Sequence, residues 1–187
     1  MVKRMRIGLL LFMVALFSTT MSGCATVNSN DVAQGKHFQE PFYGFADNSL
    51  PIEEQCILIN LAENTIFISA IDGKTVRIPW GRNYLTLQTN FFAILPPGEH
   101  EFTVGYQYAT MSGAIYEGSL KLKTILIPGE VYILTGFGAG GRGFNAKIER
   151  AVLGTEIEVY GEFVRSSVPM EAVISGINAK IAKSRNQ

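Results

Sequence analysis

Between residues 100 and 108 the chain alternates strictly: Phe102, Val104, Tyr106 and Tyr108 stand against Glu101, Thr103 and Gln107. A period of two sends successive side chains to opposite faces of a strand, so this stretch suits a half-buried sheet and no face of a helix. Related runs recur from 55 to 163. Residues 74–80 place Val76, Ile78 and Trp80 together, and 84–88 place Leu85 and Leu87 together. Residues 115–127 set Leu120 and Leu122 against Lys121 and Lys123, with a change of parity at Thr124 and Ile125 that suggests a bulge or a move between faces. Residues 131–137 are apolar on both faces and read as a central strand. Phe144, Ala146 and Ile148 oppose Asn145, Lys147 and Glu149, and Ile157 and Val159 oppose Glu156 and Glu158. Turn signals punctuate the runs at Asp72-Gly73, Pro96-Pro97-Gly98, Pro128-Gly129 and the glycines of 138–143. About nine short strands with no helical pattern between them predict a mainly β fold, an antiparallel β-sandwich.

The end of the chain changes period. Ser167 and Pro169 form a helix-start signal, and Met170, Val173, Ile174, Ile177 and Ile181 then recur at helical spacing. Lys180, Lys183 and Arg185 complement the dipole at the C-terminal end. Residues 169–184 are therefore expected as one α-helix. Its single apolar stripe lacks aromatic residues, which favours packing on the sandwich over lying on a membrane. Gly176 weakens such a helix by about 1 kcal/mol relative to alanine.

The first residues bear on location. Lys3, Arg4 and Arg6 precede an apolar run from Ile7 to Phe17, then small residues, then Met21-Ser22-Gly23-Cys24. A helix over that run spans about 16 Å, roughly half the hydrocarbon thickness of a bilayer, which suits a signal-peptide core better than a membrane span. Met21-Ser22-Gly23-Cys24 resembles the lipobox of bacterial lipoproteins. The resemblance implies removal of residues 1–23, acylation of Cys24 and attachment to the membrane through that lipid. It also implies a place in the bacterial cell envelope, with Ala25 favouring the outer over the inner membrane. Residues 24–50 then read as a lipidated tether and partly ordered N-terminal segment, and 51–187 as the β-sandwich with its helix. Phe38, Phe42, Tyr43 and Phe45 are expected to drape over a sandwich edge.

Composition narrows the function. Hydrophobic residues make up 47% and charged residues 17%, enough apolar material for a packed core. The 16 basic and 16 acidic residues balance, and loss of Lys3, Arg4 and Arg6 with the leader tips the remainder acidic. No basic stripe points to nucleic acid. Two histidines and two cysteines are too few for most zinc or disulfide frameworks. Cys56 lies in an apolar run and reads as a buried thiol. Gly136-Phe137-Gly138-Ala139-Gly140-Gly141 matches a dinucleotide-binding pattern, but the following residues alternate as a strand where that motif requires a helix. A Gly-rich hairpin connection is the expectation. His100 opens a strand after a turn and is read as solvent-facing. No catalytic set, metal site or cofactor motif is recognised. Trp80, Arg82 and Tyr84 are the residues suited to stacking on and hydrogen-bonding a glycan or small ligand.

Two segments carry a second resemblance: Ile71-Asp72-Gly73-Lys74-Thr75-Val76, and Leu95-Pro96-Pro97-Gly98-Glu99-His100 with the alternating strand behind it. They are similar to the PEGA-type, Ig-like β-sandwich of bacterial envelope proteins. Ile127-Pro128-Gly129-Glu130-Val131-Tyr132 resembles the G-x-x-Y element of related small lipoproteins. The resemblance implies a non-catalytic structural or binding module facing envelope proteins or glycan.

Overall fold

A computed structural model describes residues 27–62, 65–76, 91–160 and 165–185 and has ten strands among them; the expected run 84–88 and the part of 74–80 beyond Val76 lie outside the described residues. The strands are β1 Cys56–Asn60, β2 Ile66–Ile71, β3 Lys74–Thr75, β4 Phe91–Leu95, β5 Gly98–Ala109, β6 Ile115–Leu126, β7 Val131–Gly138, β8 Phe144–Arg150, β9 Glu156–Tyr160 and β10 Arg165–Pro169. Among the described residues two α-helices accompany them, α1 Ser29–Ala33 and α2 Met170–Arg185. The protein is mainly β with one long C-terminal helix.

One sheet has the order β4-β1-β7-β8 and a second the order β3-β2-β5-β6, while β9 and β10 pair as a separate ribbon. The period of two decides how these stack. In the first sheet Cys56, Leu58, Phe91, Ala93, Leu95, Tyr132 and Leu134 join Ile66, Ile68, Phe102, Val104 and Leu126 of the second sheet in one core. Their sequence neighbours Ile59, Phe92, Ile94 and Ile133 point the other way, into a second core with Val159, Val168, Met170, Val173 and Ile177. The first sheet is thus covered on both faces, which accounts for the unbroken apolar runs in β1, β4 and β7.

Two expectations are corrected. The sandwich is not wholly antiparallel, because β1 and β7 pair in parallel, Ile57 opposite Val131 through Asn60 opposite Leu134. The strands that meet are far apart in sequence, with the second sheet intervening, so no β-α-β crossover is needed. The bulge predicted in β6 is also absent: β5 and β6 pair without a register shift from Gly98 opposite Leu126 to Ala109 opposite Ile115. Ile125 is an apolar residue on the outer face, 70% exposed, rather than a sign of changed parity. The irregularity falls in β2, between Ile68 and Ala70.

α2 buries Met170, Val173, Ile177 and Ile181, the stripe expected from its spacing. Each such side chain contributes about 1.5–3 kcal/mol relative to exposure. α1 begins at Asn28, whose side chain accepts from the Asn30 amide. It crosses α2 at Gly176, where an added Cβ would stand 2.0 Å from the Val32 carbonyl oxygen. The helix-weakening glycine is what lets the two helices meet. Phe38 packs edge-on against Phe92 at 6.4 Å. The Phe42 amide donates to Phe92 O and the Ile94 amide donates to Phe42 O, so this segment lies along the outer edge of β4. The aromatics drape as expected, with Tyr43 left exposed.

Candidate functional site

Cys24 and the three candidate ligand residues Trp80, Arg82 and Tyr84 lie outside the described residues. Among the described residues, chemistry-bearing side chains gather at opposite ends of the sandwich.

At one end the turn Asp72-Gly73, which joins β2 to β3, meets the start of β5. Asp72 has a φ of 50° and Gly73 of 74°, so both take the left-handed conformation of a tight hairpin. The Asp72 amide donates to Glu101 O at 2.8 Å, and the Glu101 amide donates to Asp72 Oδ1 at 2.9 Å. His100 stands between, with Nδ1 2.7 Å from Asp72 Oδ2 and Nε2 2.9 Å from Pro96 O. The ring therefore bridges a carboxylate oxygen of one turn and a backbone carbonyl of the other. His100 is 7% exposed, and its reading as solvent-facing is corrected. The signal was present in the sequence: His100 shares the parity of Phe102 and Val104, which point inward. Burial works to raise the Asp72 pKa, but the Glu101 amide and the His100 ring outweigh it and hold the carboxyl below its ordinary value. The constellation contains no nucleophile. It clamps two turns and has no further evident chemistry.

The crossover from β6 to β7 lies at the same end. The Tyr132 hydroxyl donates to Ile125 O at 3.2 Å and accepts from the Ile127 amide at 2.9 Å. This is what the tyrosine of the G-x-x-Y element does here: it staples the chain where it passes between sheets. Cys56 Sγ donates to Ile127 O at 3.0 Å in the same corner. The thiol is fully buried, and burial pushes its pKa up to about 11. A thiol so placed is a core residue and not a nucleophile.

At the opposite end the Gly-rich connection from β7 to β8 lies on a row of aromatic rings. Tyr106 stacks on Phe144 with centroids 5.1 Å apart, and its hydroxyl donates to Gly140 O at 2.7 Å. A Cβ at Gly138 would meet the Tyr106 ring at 2.4 Å, and one at Gly141 the Tyr116 ring at 2.7 Å. These glycines permit close approach of backbone to tyrosine. A single 3-10 turn, Gly140–Arg142, leads into the strand β8, where the dinucleotide motif requires an α-helix to hold the pyrophosphate, so the geometry does not suit that motif. Tyr108 and Tyr116 face each other across the β5–β6 pair at 6.4 Å.

Among the described residues no group of three or more His, Cys, Asp or Glu side chains could hold a metal ion. No described helix is long and apolar enough to cross a membrane. No protein-family model, curated protein or solved structure matches the chain.

Proposed function

We propose that the chain is a bacterial envelope lipoprotein, anchored by acylated Cys24, whose folded body is a non-catalytic structural or binding module. The observation that carries this reading is the N-terminal order of features in the sequence: a positive start, a short apolar core, small residues, then Cys24. The described fold begins at Val27, whose amide donates to Ser166 Oγ of β10. Ala25 favours the outer membrane.

The finer fold reading is an Ig-like, PEGA-type sandwich. Two facing four-stranded sheets, the Asp72-Gly73 hairpin, and a tyrosine hydroxyl that hydrogen-bonds back to upstream backbone at a sheet corner support it. The body's partner would be an envelope protein or a glycan, the latter through Trp80, Arg82 and Tyr84. Quenching of the single tryptophan by a panel of cell-wall sugars tests that choice, and an unchanged spectrum removes the glycan.

Fractionation tests the anchor. Wild-type protein is expected in the membrane fraction. Cys24→Ser is expected either in the soluble fraction or as a full-length precursor. A Cys24→Ser chain that is cleaved yet stays in the membrane overturns the reading.

A further inference from the structure

The hairpin formed by β5 and β6 outruns the sheet that carries it. β2 supports β5 no further than Tyr106, opposite Ile66, with one more hydrogen bond from the Gln107 amide to Thr65 O. Beyond that point, among the described residues, the two strands pair with each other alone, Tyr108 opposite Tyr116 and Ala109 opposite Ile115. Among the described residues the arm is braced where Tyr116 lies against Gly141 and Tyr108 against Gly140.

Its large exposed side chains are apolar on both faces, with Ser112 the exposed polar residue of the turn and Glu117 the first charge beyond Tyr116. Met111 in the turn is 110% exposed, Ile115 on one face 62%, and Tyr116 and Tyr108 on the other 43% and 37%. Residues 102–116 carry no charge, and 131–146 carry only Arg142, a cation in the neighbouring connection. A flat protein surface would cover only one face of the ribbon. A hydrocarbon boundary surrounds the tip, accepts tyrosines at its polar edge, and tolerates a single cation beside anionic headgroups.

We infer that the β5–β6 tip is a second membrane contact, in which Met111 and Ile115 enter the lipid surface and Tyr108 and Tyr116 stand at its interface. The inference rests on the lipoprotein reading for the nearness of the bilayer. From Cys24 to Val27 is three residues, at most about 11 Å of extended chain, so the folded body cannot be held far from the membrane.

The test removes the lipid. A chain beginning at Ala25 keeps every described element, and its co-sedimentation with vesicles of phosphatidylcholine, alone and mixed with phosphatidylglycerol, isolates the tip from the anchor. Wild type is expected to sediment with vesicles. Met111→Asp/Ile115→Asp is expected to partition at least about tenfold more weakly with an unchanged melting temperature. Wild type that stays in the supernatant, or a double variant that sediments equally, overturns the inference. So does a vesicle-free dimer of wild type that the double variant abolishes, since the tip would then bind a second copy. Because this chain lacks Cys24, none of these results depends on lipidation.

Discussion

His100 shows how much one buried polar residue can fix. Its ring joins the Asp72 carboxylate to the Pro96 carbonyl, and those two residues belong to different turns. His100→Ala is expected to lower stability by about 1–3 kcal/mol, read by urea denaturation, because two hydrogen bonds are lost at a buried position. The pH dependence follows from Asp72. Its folded-state pKa lies below the ordinary 3.8, so the folded state binds its proton less readily than the unfolded state does. That contribution is fully present above pH 4 or so and is lost as the pH falls through the lower folded value. Acid titration of wild type and Asp72→Asn should therefore converge at the acid end. Cys56 predicts an equally simple readout: no alkylation of native protein at neutral pH and complete alkylation in denaturant. An intermolecular disulfide or rapid native labelling would contradict its burial. Gly176→Ala sets two effects against each other. Alanine gains about 1 kcal/mol of helix propensity, but its Cβ would stand 2.0 Å from the Val32 carbonyl oxygen. Neither helix can shift without disturbing the shared core, so overpacking wins and thermal unfolding should show a net loss of about 1–3 kcal/mol.

The long helix α2 and most strands were legible because each buries one stripe or face, and a period of 3.6 or 2 records that directly. Met170, Val173, Ile177 and Ile181 were readable for this reason, and so were Phe144, Ala146 and Ile148. α2 also has a role beyond its own stability, since it covers the outer face of the first sheet over Ile59, Phe92 and Ile94. Ile177→Asp puts a carboxylate into that core without a partner and is expected to abolish cooperative unfolding in a thermal melt. What the pattern could not convey is pairing. The parallel contact between β1 and β7 joins residues more than seventy positions apart, and alternation within a strand carries no information about its neighbour. The second core was hidden for a related reason: in β4 every residue is buried, so its run reads as uniformly apolar and does not say what covers each side. α1 left no signal at all. With five residues it is too short for periodicity, and its position is set by contact with Gly176. The candidate site was legible only as chemistry. Cys24 was marked by the residues before it, whereas the exposed hairpin tip needed the structure, since an apolar residue in a strand reads the same whether it faces a core or solvent.

For the molecule as a whole, the decisive quantity is how little chain separates the proposed anchor from the folded body. Residues 27–50 are packed on the sheet and on α2: Val32 is fully buried, Phe38 lies on Phe92, and Phe42 pairs with the edge of β4. Little of the expected tether is left free, so a lipid on Cys24 would hold the sandwich directly at the membrane surface. A body seated in that way can use its own surface as well as its lipid, which makes the hairpin tip the natural second contact. The claim on which this depends is the identity of the mature N-terminus. Mass spectrometry of the N-terminal peptide of protein extracted from bacterial membranes measures it directly. The account predicts a chain that starts at Cys24 and carries the added mass of acyl chains on that residue. A mature chain that begins elsewhere, or begins at an unmodified Cys24, contradicts it.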